Sequence, residues 1–236
     1  MILFNDKKIM ENKINCFLHI PKTGGQTLWH ILKEQDETYM ILHGEYFREF
    51  DKPFSYFTMI RNPIDRVIST YYYISSYMRD PLHEQVKKMT IEDFVDHIQE
   101  DENEREYAKN DLRSLRLRTA NLATRYISGG NASNLEKAKI NLNRHFTVIG
   151  LTERYLESLY LLKKTYNLSN FTYKKRNITN NRKKIEDIPL KIIDKIANVN
   201  RFDIQLYESV KNEFDFKIQN LDIHSKNELN KWISKE

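Results

Sequence analysis

The chain lacks any run approaching the ~18 consecutive apolar residues that a membrane-spanning helix requires, and it holds one cysteine in 236 residues. The first lack argues against a transmembrane segment. The second excludes an internal disulfide, and Cys16, inside an apolar run, reads as a buried filler. The opening MILFNDKKIM carries charges where a secretory leader would need an apolar stretch. These features lead us to expect a reducing cytoplasm, and the abundance of Lys, Asn and Ile a bacterial one. There is no Cys/His spacing of a metal site. Neither a dense basic stripe nor a recognisable nucleic-acid module is present, so a nucleic-acid partner is not expected. No repeat or low-complexity linker marks a boundary, and residues 1–236 read as one domain. Glycine is scarce, at six residues, and two of the six stand side by side at Gly24 and Gly25.

What is present suits a soluble α/β protein. Hydrophobic residues make up 40% and aromatics 12%, enough for a substantial core. Net charge is +5 with a pI near 9.0, a balance that favours an anionic ligand. The basic residues are dispersed apart from Lys174, Lys175, Arg176, Arg182, Lys183 and Lys184. Short apolar runs at 14–20, 38–44, 55–63 and 146–150 read as strands, the third stopped by Asn62-Pro63. Helices are expected at 26–35, from Pro63 to Ser76, through much of 90–127 with Thr90 and Asp93 forming a capping box, at 133–144, at 153–166 capped by Thr152, and within 188–214, with another in the tail. Residues 167–184 read as a polar loop or lid. Alternation of strand and helix predicts a mainly parallel sheet with helices on both faces.

Two stretches carry chemistry. In CFLHIPKTGGQTLWHIL (16–32), a strand feeds Pro-Lys-Thr-Gly-Gly and then a helix. Such a loop sets free backbone N–H groups beside the positive end of a helix dipole. Gly24 and Gly25 admit close approach of an anion, Lys22 adds a charge, and Thr23 and Thr27 add hydroxyls. A plain tight turn fits the same residues equally well. The nucleoside-triphosphatase pattern does not fit, because there the lysine follows the glycines. In FTMIRNPIDRVISTYYY (57–73), Arg61 ends a strand and Ser69 lies eight positions on, within a helix. The guanidinium fork suits a phosphate; a surface ion pair is the simpler use of Arg61 and Arg66.

Together, strand-PKTGG-helix followed by strand-R-x-P-x-x-R-x-x-S-x-Y-Y resembles the sulfotransferases that use 3′-phosphoadenosine 5′-phosphosulfate, in particular their carbohydrate branch, the heparan 2-O-sulfotransferase-like group. NLATRYISGG (121–130), FTVIGLTERYLESLYLL (146–162), RNITNNRK (176–183) and NRFDIQLYE (200–208) are similar to later segments of that family in the same order, so the resemblance spans about 14–210. It implies a P-loop-like three-layer α/β fold. It also implies that Lys22, Thr23, Gly24, Gly25, Gln26 and Thr27 grip the 5′-phosphosulfate, that Arg61 and Ser69 hold the 3′-phosphate, and that Arg176 and Thr179 sit on a donor-covering loop. The implied acceptor is a carbohydrate: a polysaccharide, a glycolipid or a small sugar. No metal is implied.

Related enzymes carry His-Gly-His after the second strand, where a histidine serves as base. Here the triplet is His43-Gly44-Glu45. The base is therefore His43, with Glu45 as its orienter, or Glu45 itself. His19 reads as a wall of the phosphate loop. Arg118, Asn121 and Arg125 are candidates for the acceptor cleft. A nucleotide kinase and a non-catalytic nucleotide- or glycan-binding relative are the alternative readings.

Overall fold

The computed structural model describes residues 2–3, 13–100, 113–169 and 182–234. Lys174, Lys175, Arg176 and Thr179 lie outside the described residues. The sheet has five strands, β1 (Ile2–Leu3), β2 (Ile14–His19), β3 (Tyr39–His43), β4 (Phe54–Ile60) and β5 (Phe146–Leu151), in the order β1-β3-β2-β4-β5. β2 to β5 run parallel. β1 runs antiparallel along the outer edge of β3, and two residues are too few to show a period in the sequence. The helices are α1 (Gly25–Lys33), α2 (Pro63–Ser76), α3 (His83–Val86), α4 (Ile91–Glu100), α5 (Leu115–Thr119), α6 (Leu122–Ser128), α7 (Leu135–His145), α8 (Tyr155–Tyr166), α9 (Leu190–Val199), α10 (Arg201–Gln219) and α11 (Ile223–Ile233). Among the described residues no helix is long and apolar enough to cross a membrane.

Both faces of the sheet are covered, which explains why its strands are apolar runs rather than alternating patterns. Cys16, Leu18, Tyr56 and Ile60 point to one side and pack with Leu122, Tyr126, Leu142 and Leu206 of α6, α7 and α10. Phe17, Ile41 and Phe57 point to the other and pack with Leu28, Ile31, Leu159 and Leu162 of α1 and α8. Beside these layers α2, α4 and α9 share a third core around Ile68, Phe94 and Ile196.

Local capping rules account for several helix starts. Asn62 Oδ1 accepts from the amides of Ile64 (3.0 Å) and Asp65 (3.2 Å), with Pro63 in the first turn of α2. Thr90 and Asp93 form the reciprocal box: the Asp93 amide donates to Thr90 Oγ1 at 3.1 Å and the Thr90 amide to Asp93 Oδ2 at 2.9 Å. The expected cap at Thr152 is not made. Thr152 opens a short 3₁₀ turn (Thr152–Arg154) and α8 begins at Tyr155. The Thr152 hydroxyl is instead shared between the carbonyls of Thr23 (2.9 Å) and Ile60 (3.0 Å), and so joins the tips of β2, β4 and β5.

The segments 121–130 and 200–208 interlock. Asp203 accepts from the amides of Ala123 (3.0 Å) and Thr124 (2.7 Å), which caps α6. Asn121 Oδ1 accepts from the amides of Phe202 (3.0 Å) and Asp203 (3.2 Å), which caps α10. Arg66 on α2, 1% exposed, seals this joint. It donates to the carbonyls of Arg118 and Thr119, and a guanidinium nitrogen lies 3.9 Å from Asp203 Oδ2. Arg66 is therefore a buried structural cation rather than a surface residue. Asn121, a candidate for the acceptor cleft, is engaged in a cap.

Candidate active site

Parallel pairing sets His19, His43, Arg61 and Thr152 at or just past the carboxyl ends of four adjacent strands, where an open α/β sheet presents its ligand crevice. The loop from β2 to α1 is built by left-handed backbone at Lys22 (φ 68°) and Gly24 (φ 80°). Thr23 spends its hydroxyl locally, donating to the Ile20 carbonyl at 2.8 Å. α1 has no side-chain cap and no acidic residue in its first turn, so no side chain of its own neutralises its positive end; the Thr27 amide donates to the Gly24 carbonyl at 3.2 Å.

The glycine pair has a packing reason as well as a conformational one. Tyr155 donates its hydroxyl to the Gly24 carbonyl at 2.8 Å, and a Cβ at Gly24 would lie 2.7 Å from the Tyr155 ring. At Gly25, a Cβ would lie 2.1 Å from His19 Cδ2. Gly25→Ala must displace a buried ring. We expect it to lower stability by about 1–3 kcal/mol, read as a fall in the urea midpoint; an unchanged midpoint would contradict this packing.

Lys22 is the centre of a cationic field. Its Nζ lies 3.9 Å from the centroid of the Tyr73 ring, a cation–π contact. Burial, with Arg61, Arg182 and Arg118 nearby, pushes its pKa down from 10.5 to about 8. Arg61 donates to the Lys22 carbonyl at 3.1 Å and to Asp65 at 2.7 Å. Arg182 pairs with the other oxygen of Asp65, and Arg118 holds Asp80 through two nitrogens (2.9 and 2.7 Å). Two carboxylates thus anchor three guanidiniums. A further anion beside Lys22 would relieve the repulsion that burial and those neighbours impose.

Other expected site residues fall as follows. Ser69 is buried on α2, and among the described residues its hydroxyl has no hydrogen-bond partner and none with Arg61. Thr27 is buried in the first turn of α1, and Gln26 is exposed beside it. Glu45 pairs with Arg48 at 3.3 Å. His43 turns to His19: the two Nδ1 atoms are 2.7 Å apart. The Trp29 ring lies 6.0 Å from that of His43, and Gln26, Trp29, His30 and Lys33 line a groove of about 300 Å³. Arg125 is buried in α6. Sequence reasoning missed Arg118 and Arg182 as neighbours of Lys22, Tyr73 as its aromatic seat, and His19 as the partner of His43. Among the described residues no three His, Cys, Asp or Glu side chains gather as a metal site would need.

A parallel sheet whose strand tips carry a glycine loop, an open helix start and a lysine among guanidiniums defines a P-loop-like α/β protein built for an anionic group. The chain belongs to the sulfotransferase family, whose model matches residues 11–208, a stretch that contains every strand tip described above. It is accordingly a transferase of sulfuryl groups. Among curated proteins none matches the chain at a significant level.

Proposed function

We propose that the protein transfers a sulfuryl group from 3′-phosphoadenosine 5′-phosphosulfate to a hydroxyl of a carbohydrate. The observation that carries this reading is Lys22, held at an uncapped helix start among three guanidiniums with its pKa lowered to about 8. The residues present suit a doubly anionic nucleotide. Lys22, the amides from Thr23 to Gln26 and the Thr27 hydroxyl take the 5′-phosphosulfate, and Arg61 with the unspent Ser69 hydroxyl takes the 3′-phosphate. When bound, the donor supplies the sulfuryl group: the acceptor oxygen–sulfur bond forms as the sulfur–phosphate oxygen bond breaks in line. Lys22 steadies the charge that grows on the departing oxygen. His43 takes the acceptor proton on Nε2. Glu45, committed to Arg48, is the weaker candidate for that task. The Trp29 ring, beside His43, offers a flat apolar face for a sugar.

Purified protein incubated with this donor and a panel of glycans should yield a product heavier by one sulfuryl group, and His43→Ala should abolish it while leaving donor binding intact. In thermal shift, adenosine 3′,5′-bisphosphate at 100 times its dissociation constant should add about 2.7 kcal/mol, ahead of AMP, ADP and ATP. Preference for ATP would overturn the reading in favour of a kinase, and preference for the bisphosphate without product would favour a non-catalytic binder. The affinity should also depend on pH. Free Lys22 loses its proton near pH 8, and an anion bound beside it holds that proton, so binding takes up a proton and weakens as pH rises. Calorimetry should find the bisphosphate bound about tenfold more weakly at pH 9 than at pH 7; a flat profile would remove Lys22 from the site.

A further inference from the structure

His19 and His43 end adjacent parallel strands and are register partners. Their Nδ1 atoms are 2.7 Å apart and their ring centroids 4.8 Å. Two nitrogens at that distance share one proton, because two N–H groups would collide and two lone pairs would repel. His19 is 4% exposed, stacked on Phe17 with ring centroids 5.5 Å apart and pressed against Gly25. Burial, His43 and Lys22 push its pKa down to about 3, so it stays neutral at any working pH. His43 is exposed on its outer side, with Trp29 of α1 as its other aromatic neighbour, and burial of its inner side lowers its pKa as well.

The shared proton has two places. If it belongs to His19, then His43 accepts on Nδ1, carries its own hydrogen on Nε2, and offers nothing basic to the crevice. If it belongs to His43, then Nε2 of His43 is bare and faces outward. Only the second arrangement lets His43 accept a proton without forcing charge onto buried His19 beside Lys22.

We propose that His19 is a positioning residue for the base: its Nδ1 accepts the Nδ1–H of His43, fixing that ring and its tautomer so that Nε2 is presented to the acceptor hydroxyl. This rests on the reading of His43 as base. The acceptor proton moves to Nε2, the imidazolium keeps its Nδ1–H on His19, and His19 remains neutral throughout. A neutral histidine here does the orienting task that a carboxylate performs in a Ser-His-Asp triad. It does so without drawing the base's pKa upward, so His43 stays unprotonated beside a cationic loop.

Long-range ¹H–¹⁵N correlation on the ¹⁵N-labelled full chain, with His43 assigned by its loss in His43→Gln, reads the tautomer without any substrate. His43 should be neutral with its hydrogen on Nδ1 from pH 7 to 8. In His19→Ala it should become a mixture of tautomers. kcat should fall about 10–100-fold with the donor KM unchanged. His19→Asn, whose Oδ1 stands where Nδ1 stood, should restore most of kcat, which separates hydrogen bonding from a folding defect. If His43→Ala abolishes turnover but His43 carries its hydrogen on Nε2, or if His19→Ala keeps wild-type kcat, the base stands and the positioning role falls. If neither His43→Ala nor His19→Ala alters kcat, His43 is not the base and both readings fall.

Discussion

Lys22→Met should lower kcat about 10²–10³-fold, the scale expected when one preorganised group facing a developing anion is removed. Methionine keeps an unbranched stem against Tyr73 and tolerates the left-handed backbone at φ 68° no worse than lysine. It removes the charge that Arg61, Arg182 and Arg118 oppose. The variant's melting temperature should therefore equal or exceed that of the wild type while turnover and bisphosphate affinity collapse together. Loss of activity with a lowered melting temperature would instead mark Lys22 as a structural residue, and wild-type turnover would end the proposed chemistry. Lys22→Arg should bind the bisphosphate with no pH dependence around pH 8, since arginine does not titrate there.

The second large effect is on stability. Asp203→Ala should cost about 3–5 kcal/mol, measured by urea unfolding, out of a total of about 5–15 for a domain. The substitution strips two amides of α6 of their acceptor and leaves Arg66, 1% exposed, without its carboxylate. Asp203→Asn retains an acceptor but not the charge and should fall between. A loss below about 1 kcal/mol would mean that Arg66 is neutralised elsewhere.

Asp203 also explains why order along the chain carried information that single segments did not. The N-L-x-T-R and N-x-x-D segments are each ordinary helix starts. Folded, Asn121 caps the helix that bears Asp203, and Asp203 caps the helix that Asn121 precedes. Each is a local polar residue whose partner is some eighty positions away, so neither shows its purpose in its own window.

The strand-loop-helix unit of 14–33, the start of α2 at Pro63 and the box at Thr90 were legible because each rests on contacts within a few residues: burial of an apolar run, a fixed proline φ, a side chain reaching its own backbone. The positions of Lys22 and Arg61 at strand ends followed from the same signals. Thr152 obeyed the capping rule in sequence and broke it in space, because the carbonyls of Thr23 in the loop after β2 and of Ile60 at the end of β4 took its hydroxyl.

By itself, then, the amino-acid order determined where most of the elements lie and that the central strands run parallel, and it singled out the loop at Lys22 to Gly25 as the candidate for an anion. Only the tertiary structure decided that Lys22 gives up its proton readily, that Asp65 serves two arginines, and that His43 faces His19 rather than Glu45. Helix and strand formation depend on neighbours in the chain, whereas protonation and pairing depend on distance and exclusion of water. Those are set when strand tips far apart in sequence are brought side by side.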